Sequence, residues 1–259
     1  MGLVVVKLGG SLITDKNKPF FFRSGVVSRL ARELAEAYRE KDLIILHGGG
    51  SYGHPVARRY RVSEGLQRSS LRGLAETRYW MTILNAKVTR ALVDAGIPAV
   101  PMQTSAFTIC ERGAVKRIFL EPLKALLSMR AVPLAYGDVV MDTALGFSIL
   151  SADVLAAELA IRLGAERLVY ALAVDGVYTA NPDAVSTARL LTELSADAVE
   201  SVASGGTGID VTGGMRLKLR CAARAAREGI EVVLGTGLKE GNLAKMVISG
   251  KGVRTRIVP

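Results

Sequence analysis

The chain is poor in the residues that build metal centres and disulfide frameworks. Its 259 residues include two cysteines and two histidines. Cys110 and Cys221 lie far apart and show no ligand spacing, which argues against a cysteine-built metal site and a disulfide-stapled scaffold; a reducing cytoplasm is the expectation. No apolar run approaches the ~20 residues of a membrane span. The chain enters Leu3-Val4-Val5-Val6 without a basic segment and cleavage site, so a signal peptide is not expected. Asparagine and glutamine are scarce, four and two, a composition that fits a heat-adapted source. Aromatics make up only 5% and do not interleave with the basic residues, so the net charge of +10 lacks the pattern of an RNA-binding surface. Arginines such as Arg29, Arg32 and Arg39 spread along amphipathic helices. Small anionic ligands or a solvated basic face account for the charge without a nucleic acid.

What the chain does have is apolar substance, at 49% hydrophobic residues. Val-, Ile- and Leu-rich runs at Leu3–Leu8, Leu43–Leu46, Ile97–Met102, Ala131–Tyr136, Leu168–Val174 and Glu231–Leu234 read as buried strands. Between them, Val26, Leu30, Leu34 and Tyr38 repeat at helical spacing, with Ser24 as the expected N-cap. Further helices are expected over Ser69–Ala95, Asp153–Leu163, ending at Gly164, and Gly214–Arg227. Strand-helix alternation with strands buried on both faces predicts an α/β fold with a mainly parallel sheet. Two lobes sharing that sheet are expected, 1–165 and 166–259.

Two glycine-rich turns fall at the carboxyl ends of strands, where ligands of such sheets bind. The first is Lys7-Leu8-Gly9-Gly10-Ser11; the second is His47-Gly48-Gly49-Gly50-Ser51-Tyr52-Gly53-His54. Glycine runs let the backbone approach a ligand and aim several N–H groups at it, which suits a phosphate. Neither turn is a Walker loop, and the match of the second to a dinucleotide fingerprint is an accident of its three glycines. Lys7 is costly inside an apolar strand unless its ammonium meets a charge. His54 follows the glycines directly and faces their ligand; His47, at the strand end, reads as a packing residue. Asp153 either caps its helix or joins lysines of the two lobes by salt bridge. Asp138 reads equally as a turn residue. Asp175-Gly176-Val177-Tyr178 and Asn181-Pro182-Asp183 are turns after a strand. Asp210-Val211-Thr212-Gly213-Gly214-Met215 opens a helix that carries Lys218, a phosphate-handling arrangement.

Taken together, these segments resemble the amino acid kinase superfamily, in order from Lys7 to Lys218. Within it the likeness is to the isopentenyl phosphate kinases, carried by Lys7-Leu8-Gly9-Gly10-Ser11 with Lys16 and by Gly-Ser-aromatic-Gly-His at Gly50–His54. A fosfomycin-kinase-like phosphonate kinase, with a similar histidine, and a non-catalytic nucleotide- or anion-binding protein on the same fold are the rivals. The resemblance implies an open three-layer αβα sandwich, a cytoplasmic homodimer, and transfer of the ATP γ-phosphoryl to isopentenyl phosphate with Mg²⁺ in the isoprenoid (mevalonate) pathway. It implies that Lys7, Gly9, Gly10, Ser11 and Ser51 hold the ATP phosphates and that Asp175, Tyr178, Gly214 and Lys218 line the nucleotide site. Lys16 would stabilise transition-state charge, and Asp153 would align Lys7 with Lys218. Gly49, Gly50, His54 and Ala152 would bind the substrate phosphate, although many members carry glycine where this chain has Ala152. An apolar tail needs a dry wall; Tyr79, Trp80, Met81, Ile83, Leu84 and Ile149 are the candidates.

Overall fold

Leu3–Leu8 forms strand β1, and its alternation decides how the molecule is layered. In a strand, successive side chains point to opposite faces. Val4 and Val6 enter one core with Leu30, Leu34, Leu84, Val88 and Leu243. Val5 enters the other, with Leu155, Leu159, Leu219 and Ala222. A strand covered on both faces reads as an unbroken apolar run, which is why β1 has no polar side facing water. Each buried valine, leucine or isoleucine contributes about 1.5–3 kcal/mol.

The computed structural model describes residues 1–67, 70–180, 185–199 and 213–259. Around β1 runs an eight-stranded sheet in the order β10-β12-β11-β9-β1-β2-β6-β3. Its members are β2 (Asp42–His47), β3 (Ala99–Pro101), β6 (Val132–Tyr136), β9 (Arg167–Leu172), β10 (Glu193–Ser195), β11 (Glu231–Thr236) and β12 (Arg254–Val258). All neighbours are parallel except β11 and β12. One face carries α2 (Ser24–Tyr38), α4 (Ser70–Asp94) and α9 (Asn242–Ser249); the other carries α7 (Ala152–Leu163) and α8 (Gly213–Arg227). The architecture is the expected three-layer αβα sandwich. Short helices α1 (Gly10–Ile13) and α3 (Gly50–Arg59) leave the carboxyl ends of β1 and β2, α5 (Thr104–Phe107) follows β3, and α6 (Glu121–Ser128) precedes β6.

Three expectations need correction. Ser24 is the first residue of α2, not its cap; the capping position is Arg23 and no side chain bonds the free N–H groups. The run at 97–102 shortens to a three-residue edge strand, Ala99–Pro101, in keeping with proline's lack of a donor. A second sheet also exists, ordered β5-β4-β7-β8, from β4 (Thr108–Glu111), β5 (Ala114–Ile118), β7 (Asp138–Asp142) and β8 (Gly146–Leu150). Asp138 is therefore a buried strand residue and not a turn. Asp142 closes this sheet by accepting N–H bonds from Arg112, Gly113, Ala144 and Leu145.

Gly164 ends α7 in the left-handed conformation, φ 61° and ψ 45°. A Cβ there would meet nothing within 4 Å, so the cost of a side chain is one of backbone alone. Gly164→Ala is expected to lower stability by about 1 kcal/mol, seen as an earlier urea midpoint with unchanged slope. An unchanged midpoint would contradict this reading of the helix end.

Candidate active site

Because β1 and β2 are parallel neighbours with Leu8 opposite His47, their glycine turns emerge side by side. The turns touch, backbone to backbone. A Cβ on Gly10 would lie 2.5 Å from the Gly50 nitrogen, and one on Gly48 would lie 3.0 Å from the Gly10 nitrogen. Gly50 also has φ of +48°. These positions exclude side chains by contact and, at Gly50, by conformation as well. Thr14 ties the turns together: its hydroxyl donates to the Gly10 carbonyl at 2.7 Å and accepts from the Ser51 N–H at 3.0 Å. First-turn N–H groups have no acceptor inside their own helix. Those of Gly10 and Ser11 in α1, and of Gly50 in α3, thus belong to a small region that favours an anion. Ser51 differs, since Thr14 takes its N–H; its buried hydroxyl has no hydrogen-bond partner in the structure. Gly9 is tied back to β9, its N–H donating to the Ala171 carbonyl at 2.8 Å.

Strand parity places Lys7 on the same face as Val5, under α7 and α8. There its Nζ lies 2.7 Å from Oδ1 of Asp153, while Nζ of Lys218 lies 2.7 Å from Oδ2. All three residues are buried. Asp153 comes from the first turn of α7, whose true cap is Ser151, accepting the Asp153 N–H. Tyr170, opposite Lys7 on β9, donates its hydroxyl to the Asp153 carbonyl at 3.0 Å. Burial alone would raise the Asp153 carboxyl, but the charges of Lys7 and Lys218 outweigh it and hold the group below the usual carboxylate range. Burial, with repulsion from Lys7, pushes Lys218 down to about 8, and Asp153 only partly offsets this.

His54 lies on α3, not in the preceding loop, one turn in from Gly50. Desolvation lowers its pKa, as do the positive charges of Lys7, Lys16 and Arg58; Asp153 acts in the opposite sense. The ring is therefore neutral at pH 7, able to donate one hydrogen bond and to gain a proton when a dianion arrives. Lys16 is exposed, in the turn between Thr14 and Phe22. His47 is fully buried between Asn85 and the Gly48 carbonyl, 3.1 Å from each, and stacks on Tyr136. Burial pushes it down to about 4, which fits a structural pin for the end of β2.

A cavity of about 170 Å³ joins these parts. Lys7, Gly10, Gly48, Gly49, His54, Ser151, Ala152 and Asp153 line its polar end; Ala57, Met81, Val139, Ile149 and Leu150 supply most of the remainder, together with Thr77 and the buried Asp138. Of the residues expected to form its wall, Met81 and Ile149 do so. Tyr79 is exposed, Leu84 is core, Ile83 packs against that core, and Trp80 stacks on Phe20. Ala152 begins α7 within regular helix, so it needs no glycine there.

Towards β9 and β11, the Tyr178 hydroxyl reaches Oδ2 of Asp175 at 3.4 Å. Lys239, unsuspected from the sequence, meets the same oxygen at 2.8 Å. Gly214 is exposed in the first turn of α8, and Lys218 lies one turn on. Asn181-Pro182-Asp183 and Asp210-Val211-Thr212 lie outside the described residues.

A parallel sheet with two apposed glycine turns and a buried lysine-carboxylate-lysine bridge defines an α/β protein that handles phosphate groups. Residues 2–236 match the family model described as the amino acid kinase family. The isopentenyl phosphate kinase of Methanothermobacter thermautotrophicus is 38% identical, covering 98% of each chain. That of Methanocaldococcus jannaschii is 32% identical over 95% of each. Crystal structures of an isopentenyl phosphate kinase superpose with a TM-score of 0.85 at 34% identity, covering 99% of this chain and 100% of that one. The chain belongs to the amino acid kinase family.

Lys218 is a cation below about pH 8 and loses its charge above that value. Calorimetric affinity for ATP is therefore expected to fall as pH rises through 8, and Lys218→Arg should carry the decline beyond about pH 10, since a guanidinium stays charged. A decline at the same pH in the arginine variant would contradict this role.

Proposed function

We propose that the protein transfers the γ-phosphoryl of ATP to isopentenyl phosphate, giving isopentenyl diphosphate and ADP in isoprenoid biosynthesis. One observation carries the reading: the glycine turn with His54 and the Lys7–Asp153 pair line one cavity whose remaining wall is mostly apolar, from Ala57, Met81, Val139, Ile149 and Leu150, with Thr77 and Asp138 among them. Such a cavity takes a small molecule with a phosphate head and a hydrocarbon tail. The likeness to isopentenyl phosphate kinases supports the same substrate.

The chemistry follows from charge. Two anions must approach in line, so positioning and neutralisation do most of the work. In this reading Lys7 and Lys218, with the first-turn N–H groups beside Gly9, Gly10 and Ser11, hold the nucleotide phosphates. Gly49, Gly50, the Ala152 N–H and His54 hold the acceptor phosphate, and Lys16 reaches the group in transit. An acceptor phosphate is already ionised at neutral pH, so no general base is needed. Asp153, held ionised between two ammonium groups, is a poor base and acts instead to align Lys7 and Lys218. Asp175 and Tyr178 line the nucleotide side with Gly214, and Ser51 offers its hydroxyl. Mg²⁺ when bound neutralises β- and γ-phosphate charge. Among the described residues no group of three or more His, Cys, Asp or Glu side chains is placed to hold a metal. With Asp153 engaged by lysines, the nucleotide phosphates themselves fit as the main ligands of the ion.

In this reading the acceptor lies in 1–165 and the nucleotide is carried mainly by 166–259, its phosphates reaching across to the Lys7 turn. A cytoplasmic homodimer completes the proposal; the two free thiols Cys110 and Cys221 are compatible with that compartment. Among the described residues no helix is long and apolar enough to cross a membrane.

An ADP-release assay with Mg²⁺-ATP and isopentenyl phosphate, dimethylallyl phosphate, fosfomycin, UMP or acetylglutamate tests the assignment. Turnover is expected with the isoprenoid monophosphates; turnover of UMP or acetylglutamate alone would refute it. His54→Ala should raise KM for the acceptor and lower kcat with the KM for ATP near normal. Lost ATP binding with intact acceptor binding would contradict the role given to His54.

A further inference from the structure

Lys16 is exposed on a surface turn, yet the proposed chemistry needs it at a fixed place. The segment that carries it begins and ends at a β-bridge between Thr14 and Phe22, with the Asp15 N–H donating to the Phe21 carbonyl at 3.1 Å. Within it, Phe20 adopts φ of +54°. A bulky side chain in the left-handed region is uncommon and persists only where surrounding contacts hold it. Those contacts are aromatic. The Phe20 ring stacks on Trp80 with centroids 3.9 Å apart and rings 24° from parallel, and it meets Tyr52 edge-on at 5.7 Å. The Phe20 N–H also donates to the Ser51 carbonyl at 3.3 Å.

The two anchoring rings sit on the elements that build the acceptor pocket. Tyr52 stands two residues before His54 on α3. Trp80 stands on α4 directly before Met81, and Met81 and His54 both line the cavity. The ring contact therefore joins the Lys16 turn to both walls of the acceptor site. We infer that Phe20 is a positioning residue whose clasp on Trp80 and Tyr52 sets where Lys16 stands above the acceptor phosphate. The inference rests on the kinase reading for its catalytic consequence, but the clasp itself can be read without substrate.

Trp80 is the only tryptophan, so its emission reports the clasp directly. Phe20→Ala, at a partly exposed position that spares the core, should shift that emission to the red with the circular dichroism unchanged. Unchanged emission overturns the clasp, whatever the acceptor. Turnover of isopentenyl phosphate by the unaltered protein tests the kinase reading separately; the kinetic arm uses whichever acceptor of the panel is turned over. There Phe20→Ala should lower kcat roughly ten- to hundredfold, as expected for a misplaced catalytic group, with the KM for ATP within about twofold. Phe20→Tyr should restore kcat. In a Lys16→Met background, Phe20→Ala should cost less than about twofold further, because coupled residues are not additive. An equal loss in both backgrounds, or full activity of Phe20→Ala alone, would overturn the positioning role.

Discussion

The bridge from Lys7 through Asp153 to Lys218 is the interaction on which the rest of the site depends. Each member comes from a different element of the fold: the central strand β1, the helix after β8, and the helix before β11. Two buried ammonium groups side by side would repel strongly, and neither could remain charged in an apolar interior. A single carboxylate, bonded through one oxygen to each at 2.7 Å, keeps both charged and fixes their spacing. Removing one partner of such an assembly leaves an uncompensated buried charge, at a cost on the order of 3–5 kcal/mol. The bridge is therefore a structural member as well as a functional one. It also locks α7 and α8 against β1, which holds the Ser151-capped helix end where it meets the cavity.

A second constraint is steric. The glycine turns of β1 and β2 lie so close that no Cβ fits between Gly10 and Gly50. That contact brings the anion-binding turns face to face, and Thr14 fastens them with two hydrogen bonds from one hydroxyl. The geometry suits phosphoryl transfer, where two phosphates must be held near each other against their repulsion. The positive charge near His54 has a related effect. Added to burial, the larger cause, it holds the imidazole pKa below its ordinary value, so the ring's protonation becomes coupled to acceptor binding.

Much of this was legible in the residues. Five strands, β1, β2, β6, β9 and β11, announce themselves because both of their faces are buried, and Lys7 stands out as a charge in such a strand. Asp153 was ambiguous: a first-turn aspartate is equally a cap, and only tertiary packing shows that Ser151 does the capping. The smaller sheet escaped notice because its strands are short and partly exposed; β5 buries only Ile118. Trp80 was read as pocket wall, but Thr77 and Met81, four apart on one helix face, take that place, and Trp80 turns to Phe20. Lys239 carried no local signal, since its partner Asp175 is 64 residues away in sequence.

The most direct test of the bridge compares ATP affinity with turnover in Asp153→Asn. If the carboxylate offsets and positions Lys7 and Lys218, its removal leaves two buried amines that repel, and positive charge is lost where the phosphates bind. Calorimetry should then show weaker ATP binding than in the unaltered protein, and kcat should fall by about a hundredfold or more. ATP affinity and kcat both close to those of the unaltered protein would contradict the account.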